Sequence, residues 1–239
     1  MEQISERFSK MNILTLRTGD KYSSEDVNRL FEQIVSHSTC DFNFHCLTED
    51  PKGLLDPIIE IPLWKPETAS KQWNKLRLHD PQQTRIPMGE RCMILDLDWS
   101  IKSDVTDILT WPMKWGEFVS IYRWWSDMTS VCPINGGLQM FFMGDTEHLW
   151  NKFFMNPIHY QETYAIQGKC DPGMGEQNFV HEELNIPRIY LPRHWFGKYN
   201  ENVIEHTRRK YVEEVDSYGM YFLDGEFDSK IKMVHYAGA

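Results

Sequence analysis

The apolar run Cys92-Met93-Ile94-Leu95 passes directly into Asp96-Leu97-Asp98. Such a run predicts a buried strand, and side chains alternate along a strand, so Asp96 and Asp98 are expected on one side with Leu95 and Leu97 anchoring the other. Two hard oxygen donors at the exit of a buried strand suit a divalent cation, and such a cation commonly accompanies a phosphorylated ligand. In open α/β sheets, ligands bind at the carboxyl ends of strands.

The surrounding pattern is that of an α/β chain. Asn12–Leu16 is a short β-like run, and the turn-prone Thr18-Gly19-Asp20 leads to Ser23-Ser24-Glu25-Asp26, which can cap a helix. Apolar residues then recur at helical spacing from Val27 to Val35. Asp41–Leu47 alternates like a second strand and Ile58–Pro62 supplies a third, a βαβ opening with a right-handed crossover. Ser70–Leu78 reads as a helix before the acidic strand. Further strands are expected at Glu117–Tyr122, Leu138–Met143, Arg188–Pro192 and Lys232–Tyr236. Helices are expected at Thr146–Phe154, Glu176–Leu184 and Val203–Val215. Residues 1–11 read as an N-terminal extension and 12–239 as one domain, a length that can bury one substantial core.

A net charge of −10 and a pI near 5.4 oppose general binding to nucleic acid or anionic membranes, because no broad basic surface is available to neutralise phosphates. A phosphorylated ligand therefore calls for a metal. The five cysteines (Cys40, Cys46, Cys92, Cys132, Cys170) are scattered and never form a C-x-x-C pair, which points to reduced thiols in the cytoplasm. No secretory signal pattern opens the sequence and no apolar run approaches membrane-spanning length. Nine tryptophans exceed what a core of this size needs, so some can face a carbohydrate cleft.

Six separated segments fall in a telling order: Leu14–Tyr22, Lys75-Leu76, Ile94-Leu95-Asp96-Leu97-Asp98, Asn135-Gly136-Gly137, Gly175-Glu176-Gln177 and His235-Tyr236-Ala237-Gly238. Together they resemble the GT-A-fold glycosyltransferases, most of all the glycogenin-type family and related bacterial and viral nucleotide-sugar transferases, across most of the chain. The resemblance implies a Rossmann-like single domain with a mixed, mostly parallel central sheet flanked by helices. Two departures stand out. The family commonly has Asp where this chain has Glu176, and it often continues past His-x-x-Gly into a Lys-Pro-Trp that approaches the diphosphate. Either another residue replaces that lysine here, or the chain is a domain of something longer.

The same resemblance implies that Asp96, Asp98 and His235 bind Mn²⁺ or Mg²⁺ bridging the phosphates of a nucleotide-sugar donor, expected to be a UDP-sugar. An imidazole ligand favours Mn²⁺. Asp96 also reaches the ribose, with Leu97 beside it. Thr15, Arg17 and Tyr22 fall in the nucleotide-holding segment, where Tyr22 can stack on uridine. Lys75 offsets charge near the donor, and Asn135 with Gly136 brings backbone close to the sugar. Glu176 and Gln177 fall where the family contacts the transferred sugar. Trp124 and Trp125 offer an acceptor platform, and His194, Trp195 and Lys198 can face donor or acceptor from the loop after Leu191. The implied reaction is transfer to a glycan or other hydroxyl acceptor, with retention.

An Asp-x-Asp phosphatase, with Asp96 as nucleophile and Asp98 as acid/base, is one rival. Its pair normally lies near the start of the fold and needs a later acidic motif that Gly144–Leu149 does not supply. A non-catalytic sugar-binding protein of the same fold is the other rival, consistent with Glu176.

Overall fold

The computed structural model describes residues 10–65, 69, 71–125, 132–166, 175–200, 203–205, 222–223, 226–227 and 231–236. The chain forms β1 (Met11–Arg17), α1 (Ser24–Ser36), β2 (Phe42–Thr48), β3 (Ile58–Pro62) and a 3₁₀ helix over Lys71–His79. Next come α2 (Pro81–Thr84), β4 (Arg91–Leu95), β5 (Trp99–Ile101), α3 (Thr106–Leu109), β6 (Phe118–Tyr122) and β7 (Ile134–Phe142). Three helices follow, α4 (Glu147–Met155), α5 (Pro157–Ile166) and α6 (Gly175–Glu183). The chain closes with β8 (Arg188–Tyr190), β9 (Phe196–Asn200), β10 (Val203–Glu205), β11 (Phe222–Leu223), β12 (Glu226–Phe227) and β13 (Met233–His235).

Seven strands form a central sheet in the order β3-β2-β1-β4-β7-β6-β8, in which β7 alone is antiparallel to its neighbours β4 and β6. The expected mixed, mostly parallel sheet is therefore present. Its two faces carry separate cores, and the alternation of single strands divides them. Ile13, Met93, Leu95 and Met140 join Val27, Leu30 and Ile34 of α1 on one side. Leu14, Cys92, Ile94 and Phe141 join Leu76, Phe153 and Phe179 on the other. Burial on both faces is why β4 reads as an unbroken apolar run. At the start of α1, the Asp26 carboxylate accepts the Ser23 backbone N–H at 2.9 Å, half of a capping box.

Chain order runs β1 to β2 to β3 toward one edge, while β4 lies on the opposite side of β1. That reversal opens a crevice at the carboxyl ends of β1 and β4, where doubly wound sheets take their ligands. A second sheet, β10-β9-β13-β5, begins with the strand that follows Asp98 and brings β13 alongside it.

Several elements differ from expectation. Residues 70–78 were expected to form a helix, and Lys71–His79 is helical but 3₁₀. Trp73 to His79 are all buried, so packing on every side sets its geometry in place of one amphipathic stripe. Val203–Glu205 pairs antiparallel with β9 as a strand, because the open edge of β9 captures it; the rest of the expected 203–215 helix lies outside the described residues. Asn135-Gly136-Gly137 lies inside β7, not ahead of a strand. Asp96, Leu97 and Asp98 form a turn between β4 and β5, closed by Trp99 N–H to Asp96 C=O at 3.4 Å. Met11 is the first residue of β1 and is buried there; residues 1–9 of the expected extension lie outside the described residues.

Candidate active site

A cavity of about 550 Å³ opens at the β1/β4 crevice. The segment after β1 forms one wall through Thr18, Gly19 and Tyr22; Gln72 and Lys75 of the 3₁₀ helix form another; Asp96, Leu97 and Asp98 form the floor. The first wall is braced from behind. Arg17 donates to the Asp50 backbone oxygen and, at 3.3 Å, to the Tyr22 oxygen, while the Glu49 carboxylate accepts the Gly19 N–H at 2.6 Å.

Lys75 is the hub of the floor. Its ammonium lies 2.8 Å from one Asp96 oxygen, 3.7 Å from Glu176 and 3.2 Å from the Gly136 oxygen, to which it donates. Burial works against that charge, but Asp96 and Glu176 outweigh it and hold the lysine protonated far above its ordinary range. Strand β7 clamps the turn from behind, as the Gly137 oxygen accepts both the Asp96 N–H at 3.0 Å and the Trp99 indole N–H at 2.9 Å.

Asp98 belongs to a different partnership. In the second sheet His235 stands in register with Trp99 on one neighbour and Lys198 on the other, so the topology delivers both side chains to Asp98. His235 Nε2 is 3.2 Å from Asp98 Oδ1, its ring stacks on Trp99 at 4.6 Å, and Tyr22 donates its hydroxyl to Asp98 at 3.4 Å. Burial pushes the Asp98 carboxyl up, but the contact with His235 overrides it and holds the group at about 2. Burial lowers Lys198, and nearby Asp98 opposes that shift.

The expected trio of Asp96, Asp98 and His235 is thus gathered at one place, but as two pairs. Among the described residues no three His, Cys, Asp or Glu side chains already stand in a metal-holding arrangement. The donor set nevertheless fits a cation. Asp98 Oδ1 and His235 Nδ1 are buried without a well-aligned hydrogen bond. The 3.2 Å between the Asp98 oxygen and His235 Nε2 is close to the roughly 3 Å that separates adjacent ligands of an octahedral ion at about 2.1 Å.

Of the other expected site residues, Tyr22, Lys75 and Leu97 line the cavity. Thr15 is wholly buried within β1, and Arg17 braces the wall without forming its surface. Glu176 and Gln177, expected at the transferred sugar, turn inward: Glu176 toward Lys75, and Gln177 toward β7, where it accepts the Gly136 N–H at 2.6 Å. Asn135 folds its side-chain oxygen onto the Gly137 N–H at 2.8 Å. Trp125 packs on the first core and comes within 6.1 Å of His235, whereas Trp195 packs edge-on against Trp111. Ala237 and Gly238 lie outside the described residues. Gln72 was missed, because a polar residue on a supposed helix gives no sign of which way it faces.

No known family profile and no curated protein matches the sequence. The fold does have solved counterparts. The galactosyltransferase LgtC, in complex with donor and acceptor sugar analogs, aligns over 95% of this chain and 87% of its own at 11% identity and a TM-score of 0.58. An active-site mutant of LgtC, with glutamate in place of a glutamine, aligns over 96% and 88% at 14% identity and 0.60. The glycosyltransferase GlyE of Streptococcus pneumoniae TIGR4 aligns over 96% of this chain at 10% identity and 0.60, although this chain spans only 55% of it. The chain therefore has a GT-A-type glycosyltransferase fold. Among the described residues no helix is long and apolar enough to cross a membrane.

Proposed function

We propose that the chain is a metal-dependent glycosyltransferase that moves a sugar from a nucleotide-diphosphate donor, a UDP-sugar, to a glycan or other hydroxyl acceptor with retention. One observation carries the reading: the crevice at the β1/β4 reversal has Asp96 and Asp98 on its floor, with His235 against Asp98, and an aromatic side chain, Tyr22, on its wall. Asp96, Asp98 and His235 would hold Mn²⁺ or Mg²⁺, which supplies charge neutralisation for a departing diphosphate.

The chain's own groups divide the remaining work. Tyr22 offers a ring face to the base, and its hydroxyl ties that wall to Asp98. Lys75 holds both Asp96 oxygens and so fixes the orientation of a carboxylate that lines the cavity, where it would meet a ribose or the cation. Lys198 brings a second ammonium beside Asp98, where it can take the part of the lysine that the related enzymes carry after their terminal His-x-x-Gly. LgtC has a glutamine in its active site; here Gln177 is set behind Gly136, so its part is to fix the β7 backbone that a sugar approaches.

The test is a thermal-shift and calorimetric screen of nucleotides and nucleotide sugars with Mn²⁺, Mg²⁺ or chelator, on wild type and Asp98→Ala. Metal-dependent stabilisation by UDP or a UDP-sugar, lost in Asp98→Ala, supports the transferase and identifies the donor. Absence of metal-dependent nucleotide binding overturns it.

A further inference from the structure

Behind the cavity floor a line of buried polar side chains runs through the second core. Thr146, at the start of α4, and His79, at the end of the 3₁₀ helix, are both wholly buried and joined by a 2.8 Å hydrogen bond between Thr146 Oγ1 and His79 Nδ1. The His79 ring lies on Phe141 at 4.6 Å. Gln139 is two residues before Phe141 on β7 and so shares its face, which sets the far side of the imidazole against the Gln139 amide. Gln139 in turn donates to the Gly136 oxygen at 2.9 Å and to a Glu176 oxygen at 3.4 Å. Glu176 then meets Lys75.

Two atoms in this line lack a well-aligned partner among the described residues, His79 Nε2 and the Gln139 oxygen. They are complementary, and Gln139 is the neighbour that favours a proton on the His79 ring. That complementarity sets the place of every proton. Gln139 spends its amide hydrogens on Gly136 and Glu176, so its oxygen must accept; His79 must then carry its proton on Nε2, and Nδ1 must accept from the Thr146 hydroxyl. Burial keeps the imidazole neutral, with its pKa lowered to about 3, so this arrangement holds at any working pH. An apolar core would satisfy packing equally well at these positions, and a buried polar line earns its place only when every member is paired.

We infer that His79 and Gln139 are positioning residues that hold the Glu176 carboxylate, and through it the Lys75 ammonium, at the floor of the cavity. The inference deepens the transferase reading and rests on it for its consequence in turnover, while the placement of Lys75 is measurable without any substrate.

The test uses His79→Phe, which keeps the ring on Phe141 but has no N–H, Gln139→Leu, and His79→Gln, which restores a donor. Acylation of lysines with an N-hydroxysuccinimide ester, followed by peptide mass spectrometry, compares buried Lys75 with exposed Lys52. Lys75 is expected to label severalfold faster in His79→Phe and Gln139→Leu than in wild type, with Lys52 unchanged, and to regain protection in His79→Gln. Where wild type consumes a UDP-sugar, kcat is expected to fall about tenfold, with a smaller change in donor KM, because the cavity walls are untouched. Wild-type Lys75 labelling in cooperatively melting His79→Phe and Gln139→Leu proteins overturns the inference. Should His79→Phe not fold, Gln139→Leu and Thr146→Val decide by the same criterion. A wild type that consumes no nucleotide sugar sinks the transferase reading alone and leaves the labelling comparison standing.

Discussion

His235 Nε2 lies 3.2 Å from Asp98 Oδ1, and the two are brought together by the register of β13 against β5. If this pair holds the cation, His235→Ala should weaken Mn²⁺ by at least about tenfold, the size of effect that follows loss of even an outer-shell partner. Calorimetric titration of Mn²⁺ in the presence of UDP measures it. Equal affinity in the two proteins would place the metal elsewhere.

Lys75 is ion-paired with two carboxylates at once. Lys75→Met removes the ammonium between them and should destabilise the fold by about 3 kcal/mol, as for other broken buried ion pairs. Adding Glu176→Gln to that variant should recover part of the loss, since one uncompensated charge is then gone. Urea denaturation of the three proteins compares them.

Lys198 stands in register with His235. Lys198→Ala should raise the donor KM by about tenfold or more, corresponding to one lost charge-assisted hydrogen bond at roughly 1.5–3 kcal/mol. Initial-rate kinetics with intact UDP-sugar against a UDP-free acceptor analogue should show that only the donor KM moves.

Gly137 leaves no room for a side chain: an added Cβ would lie 2.9 Å from the Asn135 side-chain oxygen, 3.0 Å from the Trp99 indole nitrogen and 3.1 Å from an Asp96 oxygen. Gly137→Ala should cost about 1–3 kcal/mol of stability by overpacking and displace Asp96 from Lys75. Thermal melting and UDP binding should both fall; a variant that binds UDP as wild type does would show that the floor tolerates the shift.

His45 and His79 are buried imidazoles whose pKa values burial lowers to about 4 and about 3. The unfolded chain takes up their protons below its ordinary histidine pKa while the fold refuses them, so each contributes a loss of stability as pH falls from about 6.5 toward its folded value. The slope is up to about 1.4 kcal/mol per pH unit for each group. His45→Asn, which can keep a contact with Asn12, should flatten the stability profile between pH 6.5 and 4 relative to wild type. Identical slopes would show that His45 takes a proton in the fold.

Local order was legible in the residues themselves. The unbroken apolar run of β4 follows from burial on two faces, and the acidic pair at its exit lies on the floor of the cavity. Those signals are short-range, a matter of which side chains neighbours in sequence must bury. What the sequence left open is how distant segments meet. Whether Glu176 and Gln177 face a sugar or the protein interior depends on how α6 lies against β7, and there both turn inward. That the 70–78 segment is 3₁₀ and delivers Lys75 to Asp96 depends on cores packed around all its sides. The meeting of Asp98 with His235 and Lys198 is a matter of strand register alone, and register is fixed by pairing between strands, a tertiary contact that no local spacing encodes.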